Sequence, residues 1–134
     1  MRDFEFQTVP HIMMSYGAAR RLGALLRARY AGLAREIAPH LAAGTILSAV
    51  GSVKGAVVRD VAPLVPEGVH FVPAHPIAGT EYSGPDAGFA SLFDGRWTIL
   101  TPPPGTDAKA VARLKSFWEG CGSQVEVMDP GHHD

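Results

Sequence analysis

Residues 45–65 read TILSAVGSVKGAVVRDVAPLV. Thr45–Val50 is a short apolar and β-branched run, Gly51 interrupts it, and Val53, Val57, Val58 and Val61 then recur at helical spacing. The stretch reads as strand, turn and helix. Working outward, Val69–Ile77 (VHFVPAHPI) and Trp97–Pro102 (WTILTP) are further apolar runs, each closed by proline where a strand should stop. The segment after them offers Thr106 as a helix N-cap, sets Val111, Leu114, Phe117 and Trp118 on one face, and ends at Gly120 and Gly122. Gln124–Met128 then alternates as a last strand. The series is β-α-β-β-α-β with apolar strands, which predicts an α/β fold with a covered sheet. Upstream, Ala18–Leu41 is rich in Ala, Leu and Arg and reads as helical with interruptions at Gly23, Gly32 and Pro39, whereas Met1–Tyr16 shows no usable period.

The chain has 134 residues, enough for one domain with a real core. Twelve basic residues against thirteen acidic ones give a net charge of −1, which leaves no electrostatic footprint for nucleic acid or an anionic membrane surface. Small molecules or other protein are the expected partners. The single Cys121 cannot form an internal disulfide and reads as a small buried hydrophobe in a reducing compartment. No apolar run approaches the roughly 20 residues of a membrane span, and the N-terminus lacks a secretory pattern, so a cytoplasmic location is expected.

Chemistry-bearing residues gather where strands end, the place where ligands bind in open α/β sheets. Ser52 stands where it could cap a helix or turn its hydroxyl toward a ligand. Lys54 places a cation in the expected first helical turn, against the macrodipole, and reads either as a solvated lysine or as a partner for a bound anion. His75 follows an apolar run and is fixed by Pro76, and its ordinary pKa near 6.5 suits a base or hydrogen-bond acceptor at neutral pH. Glu81 lies in the loop that carries Gly79, Gly84 and Gly88 and could face the same crevice. Three familiar alternatives fail on spacing: there is no G-x-S-x-G elbow around Ser52 or Ser83, no Walker-type phosphate loop, and His132 and His133, being adjacent, present no ready metal face. No metal site is expected.

GSVKGAVV, HPIAGTEYSGPDAGFASLF, GRWTILTP and the closing VEVMDPGHHD together resemble the prephenate dehydrogenase family, which includes cyclohexadienyl and arogenate dehydrogenases. The resemblance runs from about residue 33 to 134. It implies an incomplete Rossmann-like domain, the second half of a nucleotide-binding domain, preceded by a non-matching helical segment at 1–32. It also implies an oxidoreductase of tyrosine biosynthesis that oxidises and decarboxylates prephenate or arogenate with NAD or NADP. By the same matching, His75 is the catalytic histidine, Ser52 orients it or the substrate hydroxyl, Thr80 and Glu81 line the substrate pocket, and Gly51 and Ser52 meet the cofactor. Lys54 matches a motif position whose role stays open between electrostatics and structure.

Departures from the pattern carry expectations too. The G-x-G-x-x-G that holds the cofactor pyrophosphate is absent, and Ala49 stands where members usually carry Asp. Members continue past HHD into a helical domain that builds the dimer, so this chain is expected to be inactive alone. The stretch GAARRLGALLRARYAG (Gly17–Gly32) suggests a shifted reading frame, an idea that fails if no alternative upstream frame encodes a strand and G-x-G-x-x-G. The competing function is a noncatalytic half-domain that acts as a protein-interaction module through exposed strand edges.

Overall fold

A computed structural model of the chain describes residues 30–79 and 88–134. Residues 1–29, which hold most of the segment expected not to match, lie outside the described residues, as do Thr80, Glu81 and Gly84. Residues 30–37 form α1, and a 3-10 turn over Ala38–His40 with Pro39 at its start ends it in extended backbone at Leu41. The series then runs β1 (Ile46–Leu47), α2 (Gly55–Val61), a 3-10 turn (Ala62–Leu64), β2 (His70–Phe71), β3 (Ala74–Pro76), β4 (Trp97–Leu100), α3 (Ala108–Gly120), β5 (Gln124–Val127) and a short α4 (Pro130–His133).

The expected β-α-β-β-α-β order is present, and the run read as one strand at 69–77 supplies both β2 and β3. Its first half pairs parallel with β1, Ile46 opposite His70 and Leu47 opposite Phe71, and its second half pairs antiparallel with β4, Ala74 opposite Leu100. The β1 ladder continues as Val72 N–H donates to Leu47 O (2.9 Å) and Ala74 N–H to Ala49 O (3.0 Å). On the other side Pro73, which has no N–H, offers only its carbonyl to Thr101 N–H at 2.9 Å. This run therefore joins the two hydrogen-bonded units β1–β2 and β3–β4–β5. Strands β4 and β5 pair parallel, as a crossover through the thirteen residues of α3 allows.

Residues 71 and 74 differ by an odd number, so a regular pleat turns them to opposite faces. Phe71 packs with Val57 and Val61 of α2 and Ala34 of α1, whereas Ala74 packs with Leu100 and Trp118 of α3. Helices thus cover both faces, the arrangement expected of apolar strands.

Local details differ from the sequence expectation. Helix α2 begins at Gly55 with Lys54 at its cap position, so Ser52 caps nothing and Val53 is exposed. On α3 the cap is Asp107, whose carboxylate accepts from Lys109 N–H (2.6 Å) and Ala110 N–H (3.1 Å), while the Thr106 hydroxyl donates to Pro103 O. Phe117 is 59% exposed and Trp118 7%. From Val111 the buried stripe runs through 114 and 118, and position 117 is rotated off it.

Candidate active site

The site is built where β1 and β3 end and α2 begins. Gly55 matters first, because a Cβ there would come within 2.9 Å of Asp134 Oδ2. Without one, the Asp134 carboxylate reaches the start of α2 from 80 positions away, its Oδ1 accepting Lys54 N–H at 2.9 Å and its Oδ2 accepting Gly55 N–H at 2.7 Å. Asp134 can do this because α4, started by the Asp129 cap and Pro130, turns the chain back against α2.

Lys54 is 0% exposed, which overturns its reading as a solvated lysine. Its Nζ donates to Ala49 O at 3.0 Å and to Ala74 O at 2.5 Å, tying the end of β1 to the residue before His75. Ala74 lies opposite Leu100 at a register position whose carbonyl points away from β4, which is why a side chain must satisfy it. Burial lowers the Lys54 pKa from 10.5 to about 8, against the upward pull of the Asp134 charge.

His75 is the central residue of β3. Its Nδ1 shares a hydrogen bond of 2.9 Å with Nε2 of His133, the rings meeting edge to face with centroids 5.1 Å apart. His133 Nδ1 in turn lies 3.0 Å from Asp134 Oδ1. A closed ring of contacts results: Lys54 to Ala74 and His75, His75 to His133, His133 to Asp134, and Asp134 back to Lys54. Burial lowers the His75 pKa, with the nearby His133 and Lys54 charges acting in the same direction. The shift favours the neutral imidazole, the form that can accept a hydrogen bond. Burial alone would raise the Asp134 pKa, but the hydrogen bonds from Lys54 N–H, His133 and Gly55 N–H hold it below the ordinary carboxylate value.

A cavity of about 280 Å³ opens beside this ring, lined by His75, Pro76, Ile77, Ala78, Gly79 and Arg96. Among the other expected site residues, Ser52 is exposed at the β1 end and makes no hydrogen bond to His75 among the described residues. A Cβ on Gly51 would meet the Tyr30 hydroxyl, so a larger residue there would displace the end of that side chain. Thr80 and Glu81 fall outside the described residues. Sequence reasoning missed three participants. His133 and Asp134 stand in the closing HHD of the sequence, where adjacency bears on metal binding and gives no sign of the contact with His75. Arg96 carried no signal, since only the sheet brings it beside His75.

The family model described as prephenate dehydrogenase, nucleotide-binding domain, matches residues 28–127. A cyclohexadienyl dehydrogenase of Zymomonas mobilis is 42% identical over 102 residues, covering 76% of this chain and 34% of that protein. The crystal structure of prephenate dehydrogenase from Aquifex aeolicus in complex with hydroxyphenyl propionate and NAD+ superimposes with a TM-score of 0.72 at 36% identity, over 80% of this chain and 37% of that one. The arogenate dehydrogenase of Synechocystis follows with a TM-score of 0.70 at 31% identity, over 76% of this chain and 36% of that one. This chain thus spans about a third of the length of the relatives it matches.

Proposed function

The chain belongs to the prephenate dehydrogenase family through that family's nucleotide-binding domain, and on that premise we propose that it forms the nicotinamide-handling part of an enzyme that oxidises and decarboxylates prephenate or arogenate. The observation that carries this reading is His75 itself, a neutral-leaning imidazole in β3, lining a cavity and held by a closed hydrogen-bond ring. NAD or NADP, when bound, supplies the hydride acceptor. His75 accepts the hydrogen bond from the ring hydroxyl of the substrate, which favours departure of hydride from the carbon bearing it. Breaking the bond to the ring carboxylate then releases CO2 and leaves an aromatic ring. Positioned acid–base help of this kind is worth about 10²–10⁴ in rate.

The strand end suits the nicotinamide half of the cofactor, because Val50 and Ser52, on either side of Gly51, are exposed. Gly51 and Ser52 are the residues we assign to it. The pyrophosphate half finds no G-x-G-x-x-G in these 134 residues. Thr80 and Glu81 are assigned to the substrate, and a cytoplasmic setting accords with the lone Cys121.

The test has two arms. Titration calorimetry of NAD and NADP into the chain measures the nucleotide site, and turnover with prephenate or arogenate measures catalysis. Turnover is expected only in a full-length relative, where replacing the histidine that matches His75 by Asn lowers kcat far more than it changes substrate binding. Turnover by the 134-residue chain that His75→Asn abolishes would overturn the expectation that these residues alone do not suffice for catalysis. A noncatalytic interaction module is the second reading. It rests on β1, which among the described residues is an edge strand paired only with β2. Gel filtration discriminates, since such an edge predicts self-association.

A further inference from the structure

His133 and Asp134 lie in the hydrogen-bond ring yet have no part in the reaction as proposed above. The chemistry of the three side chains fixes which atom carries which proton. Asp134 is an ionised carboxylate, held so by two backbone amides, and can only accept. His133 Nδ1, 3.0 Å from Asp134 Oδ1, must therefore donate. While His133 carries one proton, its Nε2 has a lone pair and no hydrogen. The 2.9 Å contact between that Nε2 and His75 Nδ1 then requires the hydrogen to sit on His75. With Nδ1 of His75 committed as a donor, Nε2 is the ring nitrogen left with a lone pair.

We propose that His133 is a positioning residue which, braced by Asp134, holds His75 in its Nδ1–H tautomer and so leaves Nε2 as the acceptor for the substrate hydroxyl. The proposal rests on the functional reading above only for the identity of that hydroxyl. The tautomer is a property of the chain alone. Without His133, imidazole would favour its usual Nε2–H form, and the nitrogen offered to substrate would carry a hydrogen and accept nothing. The arrangement follows a recurrent logic in which the partner of one ring nitrogen decides what the other can do. Among the described residues, the charged or titratable groups around His75 are His133 from α4, Lys54 at the start of α2 and Arg96 across the cavity. Of these, His133 alone has a hydrogen bond to the ring among the described residues.

The experiment is long-range 1H–15N correlation of the histidine rings in the 15N-labelled 134-residue chain, with no ligand, at about pH 8, above the ordinary histidine range. The wild type is expected to show His75 mainly as Nδ1–H. His133→Phe should move it mainly to Nε2–H, and His133→Gln, whose side-chain oxygen can accept from Nδ1–H, should restore much of the wild-type pattern. A wild-type His75 in the Nε2–H form overturns the proposal at once, whatever the variants do. An Nδ1–H form that persists in His133→Phe overturns the role of His133. Should His133→Phe fail to fold, the same comparison is read from His133→Gln and His133→Asn, whose shorter side chain should not reach and so should not restore Nδ1–H. Nucleotide titration is independent of this outcome. A chain that binds NAD with His75 as Nε2–H keeps the functional reading and loses this proposal, and a chain with His75 as Nδ1–H keeps this proposal whether or not it binds NAD.

Discussion

Replacing Lys54 by methionine separates what the buried cation does from what its hydrogen bonds do. In the folded chain Nζ donates to two carbonyls, Ala49 O and Ala74 O, and among the described residues a third hydrogen finds no acceptor. An ammonium has three N–H groups and a neutral amine two, so the site satisfies the neutral form as fully as the charged one. Burial lowers the Lys54 pKa from 10.5 to about 8 against the pull of the Asp134 charge. Between those two values the unfolded chain binds more protons than the folded one, so stability rises with pH across the window. The contribution is fully present above about 10.5 and is lost as pH falls through about 8. One proton sets a limit of roughly 1.4 kcal/mol per pH unit, hence at most about 3.5 kcal/mol in all.

Methionine fills similar space without titrating, and leaves Ala74 O unpaired at a cost of about 1–3 kcal/mol. Near neutral pH that loss is partly offset because the variant no longer buries a charge. At pH 10.5 the wild type has shed the same charge and keeps both hydrogen bonds. The stability gap between wild type and Lys54→Met should therefore widen by about 1–3 kcal/mol from pH 7 to 10.5. Urea unfolding followed by tryptophan fluorescence and circular dichroism measures it, and groups that titrate in both proteins cancel in the difference. A gap that stays constant across the range refutes the buried-lysine argument.

Two further substitutions probe the same ring. Asp134→Ala removes the acceptor of two helix-start amides and should cost about 1–2 kcal/mol in urea unfolding at neutral pH. Because the folded Asp134 pKa lies below its ordinary value of 3.8, that stabilisation is present above about pH 4 and is lost as pH falls through the folded value; curves for wild type and variant that stay parallel into acid would contradict it. His75 has a lowered folded pKa, so its contribution is present above about pH 6.5 and declines on acidification, and His75→Asn should flatten that part of the stability profile. An unchanged acid slope in His75→Asn would mean the ring is not the group being protonated.

The parts of this fold that sequence showed in advance are those written in local pattern. Val57 and Val61, spaced four apart, are buried as the helical period requires, and Gln124–Val127 is a strand where alternation placed one. The misplacements are short shifts made by local competition: Asp107 caps α3 one residue beyond an equally eligible Thr106, and α2 starts three residues beyond Ser52. A carboxylate can accept two amides at once, whereas the Thr106 hydroxyl is engaged by Pro103 O.

The site was legible to a different degree, because its contacts join residues 20, 58 and 80 positions apart. His75 stood out through its own chemistry and its strand-end context, but nothing within a helical turn or a strand pair announces that Asp134 caps α2 or that Lys54 serves the carbonyl of Ala74. Judged as neighbours, His132 and His133 offered no shared metal face. The single turn of α4 sends them apart, leaving His132 exposed while His133 turns inward to His75. Ala49 makes the same point. Its side chain gives no hint of participation, and its backbone carbonyl is what meets Lys54. A buried cation satisfied by main-chain oxygens places few demands on the side chains around it, so its partners leave little trace in the sequence; the demand falls on backbone geometry, which the glycine at position 55 and the proline at position 130 secure at the two ends of the ring.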